Sequence, residues 1–205
     1  THSDSSAASD VYKRQIWNGG EHVSPATIEG GKERTIVISG WSKTWAMTGM
    51  RVGFLAGPEQ AVRAAVKCQA NSASHIPTFM MEAARVALDC DDHVERFSDA
   101  YRHRRNLIVQ GLEDIPGLRI VNPEGAFYLF IDVSGTGMSD VEFADGALEA
   151  GVQLIPASLI TGGEGFIRVS YAASEEDIKE GISRLRSWLL PVSYTHLRAH
   201  ETRTH

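Results

Sequence analysis

Lys43 stands in the run Gly40-Trp41-Ser42-Lys43, and Arg51 follows eight positions later in Thr48-Gly49-Met50-Arg51-Val52-Gly53. A lysine amine attacks a carbonyl only after losing its proton, which a neighbouring cation or burial favours. Arg51 supplies a cation within local reach. Its guanidinium stays charged and presents a planar fork that matches phosphate oxygens. The two residues can therefore divide the work, with imine formation at Lys43 and anion capture at Arg51, a pairing suited to a phosphorylated aldehyde. Gly40, Gly49 and Gly53 permit close backbone approach around such a ligand, and Ser42 and Thr44 add hydroxyls. The competing reading of a lysine in a loop is a solvated surface charge.

A third cation lies in Gly162-Gly163-Glu164-Gly165-Phe166-Ile167-Arg168-Val169-Ser170-Tyr171. Read as a strand, this run puts Phe166, Arg168 and Ser170 on one face and Ile167, Val169 and Tyr171 on the other. A charge among apolar neighbours requires a partner. That partner is either the α-carboxylate of a bound amino acid, gripped by both arms of the guanidinium, or an acidic residue of the chain itself.

Elements must hold these residues in place. The β-branched run from Thr35 to Ser39 predicts a strand before the lysine loop, and Val52 to Ala56 predicts one after it, closed by Gly57-Pro58. Helical spacing follows over Ala61 to Gln69 and over Thr78 to Leu88. Asp91 to Gly111 reads as a long helix, rich in arginine, that links two domains. Beyond it the pattern becomes short strands at Leu118 to Val121, Ala126 to Val133, Val152 to Pro156 and Phe166 to Tyr171. Ser139 with Glu142 forms a capping-box pattern before a helix over Val141 to Ala150, and Ser174 to Asp177 opens a last helix in a similar way. The expected fold class is α/β: an α/β segment followed by an α+β module.

Composition narrows the functions. The chain has 205 residues, 42% hydrophobic and 22% charged, with a formal charge of -6, which suits one or two compact domains and offers no basic footprint for nucleic acid. No apolar run reaches the roughly 20 residues of a membrane-spanning helix, and no signal peptide opens the chain, so a cytoplasmic location is expected. Cys68 and Cys90 have no metal-ligand spacing and are expected as reduced, buried thiols.

The two ends stand apart. Asp10 to Gln15 (DVYKRQ) can be encoded by GAT GTG TAT AAG AGA CAG, and the reverse complement of that string, one frame over, encodes Val-Ser-Tyr-Thr-His, as at Val192 to His196. Such an inverted repeat resembles the transposon ends used to prepare sequencing libraries. Residues 1–15 and 192–205 are therefore expected to be non-native tails, and the histidines at 196, 200 and 205 are read as part of one, not as a metal site. No metal is expected.

The run Gly40-Trp41-Ser42-Lys43, with Thr48 to Gly53, closely resembles the cofactor-lysine signature of the class I and II aminotransferases, which are fold-type I pyridoxal-phosphate enzymes. Pro123-Glu124-Gly125-Ala126-Phe127-Tyr128 is similar to the family's glycine-aromatic entry to a small-domain strand, and Gly162 to Tyr171 to its substrate-carboxylate strand. The resemblance covers nearly the whole of 16–191. It implies the C-terminal part of such an enzyme, with part of the large domain at 16–95 and the small domain at 96–191.

The resemblance implies that Lys43 holds pyridoxal 5'-phosphate as a Schiff base and shuttles the substrate proton. It gives Arg51 the phosphate and Arg168 the substrate carboxylate. Gly40 stands where many members have a phosphate-binding serine; Ser42 or Ser39 is the hydroxyl that would compensate, unless it bonds its own backbone as a turn hydroxyl. Trp41 is bulkier than the residue usual there. The substrates implied are an amino acid and a 2-oxo acid, in a homodimeric parent enzyme. The family's other cofactor-holding residues would lie upstream, so this chain alone is expected to bind the cofactor weakly or not at all. The same scaffold also serves lyases and synthases on amino acids and the ligand-sensing domain of some transcription regulators, which remain the alternatives.

Overall fold

The structure is a computed structural model that describes residues 16, 17, 19, 20 and 22–190. The tails expected at 1–15 and 192–205 lie outside the described residues. The chain divides into two compact units, Thr1–Arg102 with Glu124–Ala126, and His103–Pro123 with Phe127–His205.

In the first unit, β1 (Val37–Gly40) and β2 (Gly53–Ala56) form an antiparallel pair, in register from Val37↔Ala56 to Gly40↔Gly53. The β-branched run starts at Thr35, but pairing starts at Val37. Between the strands lies α1 (Trp41–Thr44) and a 3-10 turn at Thr48–Met50. Two helices follow, α2 (Glu59–Ser72) and α3 (Thr78–Ala87), and then the first part of α4 (Asp91–Leu112). The thiols expected to be buried are not: Cys68 lies on α2, which buries none of its residues, and is exposed, while Cys90, just before α4, is half-exposed. Pro58 and Pro77 occupy the N-cap positions of α2 and α3. A fixed φ and a missing N–H cost nothing where the helix has no carbonyl to offer. Residues 124–126 rejoin this unit through the bridge Ile16↔Gly125 and the bond from Trp17 N to Glu124 O at 2.8 Å.

The second unit is built on an antiparallel sheet in the order β3-β4-β6-β5, with β3 Arg119–Val121, β4 Tyr128–Asp132, β5 Ile155–Pro156 and β6 Phe166–Ser170. Strand alternation decides the core: Leu129, Ile131, Ile167 and Val169 are buried, while Tyr128, Phe130, Phe166 and Arg168 are half-exposed. The helices α5 (Asp140–Glu149) and α6 (Glu175–Leu189) add Phe143, Ala147, Ile178 and Leu185 to the buried set. Each fully buried large aliphatic or aromatic side chain contributes roughly 1.5–3 kcal/mol.

Caps set the ends of these helices. The capping box at α5 forms as the sequence predicts, with Glu142 N donating to Ser139 Oγ at 3.2 Å and Ser139 N donating to Glu142 Oε2 at 2.8 Å. At the other end of α5, Gly151 takes φ 81° and Val152 N donates to Ala147 O at 2.8 Å. Val152 is thereby spent on closing the helix, which is why the strand expected from Val152 shrinks to Ile155–Pro156. The strand expected from Ala126 begins at Tyr128 because Ala126 has a positive φ of 63°. Gly146 lets α6 approach: a Cβ there would lie 2.3 Å from Trp188, whose ring meets Phe143 edge-on at 5.0 Å.

Candidate functional site

The lysine loop leaves β1 at Gly40 and returns to β2 at Gly53, and its mouth is drawn tight. A Cβ on Gly40 would meet Val52 O at 2.8 Å and a Cβ on Gly53 would meet Ser39 O at 3.0 Å. Trp41 N donates to Val52 O at 3.2 Å across the same mouth. The glycine at position 40 is thus a requirement of strand closure in this chain. A serine there would have to push back a backbone carbonyl.

Inside the loop, Lys43 lies in the last turn of α1 and is exposed. Arg51 takes the left-handed conformation, φ 55° and ψ 38°, and donates from Nη1 to Thr48 O at 2.9 Å. Thr48 Oγ1 in turn donates to Ser42 O at 3.4 Å. The loop therefore closes on itself through Ser42, Thr48 and Arg51. Gly40, Ser42, Lys43 and Arg51 all belong to this one closed turn of chain. Ser42 is half-buried, and its carbonyl enters the network.

Sequence spacing gives no hint of what fixes α1. The Trp41 indole donates to Ala84 O near the end of α3 at 2.8 Å, and its ring meets Trp45 at 5.7 Å and Phe54 at 5.8 Å. Leu88 N turns to Arg85 O at 3.2 Å, so Trp41 serves a carbonyl at the helix end, where such groups lack intrahelical donors. The bulk of Trp41 is what spans that distance.

Two hydroxyls flank the lysine, and both are buried without a hydrogen-bond partner: Ser39 Oγ and Thr44 Oγ1. A buried hydroxyl left unpaired costs about 1–3 kcal/mol. A ligand with acceptor oxygens would relieve that cost. A cleft of about 660 Å³ is lined by Ser39 and Arg51 together with Phe54, Leu55, Val62 and Val66, and Thr44 does not reach it. Lys43 does not line this cleft, which therefore carries the cationic and hydroxyl end of the loop only. The amine of Lys43, the guanidinium of Arg51 and the hydroxyls of Ser39, at the end of β1, and Thr44 are groups of the kind that an anionic carbonyl compound needs, and in type the residues fit pyridoxal 5'-phosphate.

Arg168 belongs to the second unit. It sits mid-strand in β6, opposite Phe130 of β4 and Ile155 of β5. It is half-buried between buried Ile167 and Val169, as alternation predicts. Among the described residues no ion pair joins Arg168 to a carboxylate, so the internal salt bridge that the sequence leaves open is not formed there. Its guanidinium lies over the Tyr128 ring instead, 4.7 Å from Cζ to the centroid. The nearby acid Asp132 is already engaged. It accepts Ser134 Oγ at 2.6 Å, Ser134 N at 3.0 Å and Arg119 Nη2 at 2.7 Å. These donors, Ser134 first, hold its carboxyl down at about 2.

Known proteins resemble this chain in sequence and fold. The family described as "Aminotransferase class I and II" matches residues 8–185, a span that begins within residues 1–15. An aromatic-amino-acid aminotransferase 2 of Thermococcus litoralis is 40% identical over 185 residues, which are 88% of this chain and 47% of that one. An aspartate aminotransferase of Pyrococcus abyssi is 38% identical with the same coverage. The solved aromatic aminotransferase of Pyrococcus horikoshii superposes with a TM-score of 0.83 at 37% identity, covering 88% of this chain and 50% of that one. The chain spans about half the length of the relatives it matches.

Proposed function

Because the chain belongs to the class I and II aminotransferase family, we propose that it carries the lysine-bearing loop and the carboxylate-binding strand of a pyridoxal-phosphate-dependent aminotransferase. The reaction moves an amino group between an amino acid and a 2-oxo acid. One observation supports this most: Lys43 and Arg51 leave a single closed loop whose flanking hydroxyls, Ser39 and Thr44, are buried and unpaired. The α/β architecture agrees with that of solved aminotransferases.

Pyridoxal 5'-phosphate, when bound, supplies an electron sink for the substrate α-carbon. The chain's residues supply placement and proton transfer. Lys43 Nζ would hold the cofactor through its aldehyde, and the Lys43 amine would be the base that takes the substrate α-proton and returns it. Arg51 would bind the phosphate through a charge-assisted fork, with the Ser42 hydroxyl as a further donor, on the loop whose mouth Gly40 lets close. Arg168 binds the substrate carboxylate and so fixes which α-bond faces the base. The proposal extends to a cytoplasmic homodimer. Among the described residues no helix is long and apolar enough to cross a membrane, and Phe79, Met81, Val86 and Leu88 remain exposed on and after α3, as side chains available to a second subunit would.

The test is covalent. In the full-length parent protein, after incubation with pyridoxal 5'-phosphate, borohydride reduction and peptide mapping, label should concentrate on the Lys43 peptide over those of Lys32, Lys67 and Lys179, and Lys43→Ala should remove it. Label spread evenly over the lysines, or absent, would overturn the assignment.

A further inference from the structure

Arg168 would be poorly placed for recognition if it were free to wander. A guanidinium on a long flexible stem loses rotamer freedom when a ligand fixes it, and that loss is subtracted from affinity. An acidic partner would hold it still, but at the expense of the N–H donors and charge that a carboxylate needs. A ring face can steady it without that expense. It attracts the cation through its quadrupole and accepts no conventional hydrogen bond from it.

The sheet register supplies such a ring. Tyr128 pairs with Ser170 and Phe130 with Arg168, so Tyr128 and Arg168 are diagonal neighbours on one face of β4 and β6. The Arg168 Cζ lies 4.7 Å from the Tyr128 centroid, well inside the ~6 Å reach of a cation–π contact. The platform is itself held. The Tyr128 ring packs on Phe127 at 4.3 Å, Phe127 is buried, and Tyr171 N donates to Phe127 O at 3.0 Å. Among the described residues the Arg168 guanidinium has no protein hydrogen bond, so its donor edge is left for a ligand.

We propose that Tyr128 is a positioning residue for Arg168, its ring the platform that orders the guanidinium without spending the donors that grip a substrate carboxylate. This rests on the reading of Arg168 as the carboxylate-binding residue. The ring is what acts, so Tyr128→Phe should preserve the effect and Tyr128→Leu should remove it.

Nuclear magnetic resonance on the full chain with isotope-labelled arginine tests this, with Arg168→Lys identifying the Arg168 signal by its loss. Ring current from Tyr128 should shift the Arg168 side-chain protons upfield in the wild type and in Tyr128→Phe, and not in Tyr128→Leu. With 2-oxoglutarate as the carboxylate probe, the Arg168 signal should move on titration. The apparent Kd should stay within about twofold in Tyr128→Phe and weaken about three- to tenfold in Tyr128→Leu, at equal melting temperatures. An unshifted Arg168 in the wild type overturns the platform without recourse to any variant, even if Tyr128→Leu fails to fold. Undiminished binding in folded Tyr128→Leu overturns the positioning role alone. A wild-type Arg168 signal that ignores the probe overturns the carboxylate reading, and the positioning role with it.

Discussion

Arg51 is a non-glycine residue at φ 55°, a conformation that costs an L-residue roughly 1–2 kcal/mol. The bond from its Nη1 to Thr48 O offsets part of that cost. Arg51→Gly should leave stability within about 1 kcal/mol of the parent, because the relieved backbone offsets the lost bond. In the full-length parent protein the same substitution should nonetheless lower affinity for pyridoxal 5'-phosphate by about tenfold or more, since a charge-assisted hydrogen bond is worth about 1.5–3 kcal/mol. Thermal melting and an absorbance titration on the same variant separate the two effects. Equal loss of both would mean that Arg51 serves the fold alone.

In the small sheet, β3, β4 and the turn after β4 meet at Asp132, which is paired in register with Arg119 and hydrogen-bonded to Ser134. Its carboxyl titrates near 2 when folded, against about 3.9 in an unfolded chain. A depressed folded value means that the unfolded chain binds the proton more readily. The stabilisation is therefore complete above about pH 4 and disappears as pH falls toward about 2. Its size is roughly 1–2 kcal/mol after allowing for solvent screening of the exposed Arg119. Asp132→Asn should remove most of this component of acid sensitivity. Denaturant midpoints for both proteins between about pH 2 and 5 would reveal it as a converging difference, and parallel curves would contradict it.

The two units differ in how they bury their chains. The largest fully buried side chains, among them Tyr171, Phe143, Leu112 and Ile131, all lie in the second unit, whereas α2 in the first unit buries none of its residues. Local opening is easiest where few apolar contacts resist it. Native-state hydrogen exchange should therefore show the slowest amides in β4 and β6 and the fastest helical amides in α2. Comparable protection in α2 and β6 would show that burial does not govern stability here. A ligand bound at the lysine loop would be expected to slow exchange in the first unit most.

Much of this was legible in the residues. The glycine-flanked lysine loop, its arginine, the capping box at Ser139 and the alternating strand around Arg168 are local patterns, and local patterns follow from dihedral preference and side-chain period alone. The inverted repeat at the termini was legible in the same way, as a property of the string. Three things were not. That Gly40 and Gly53 oppose one another, that the Trp41 indole reaches Ala84, and that Tyr128 lies under Arg168 each depend on which segments pair across long stretches of chain. Strand register and helix placement fix those distances, and they are set by the joint burial of many distant side chains, which no single stretch of sequence contains.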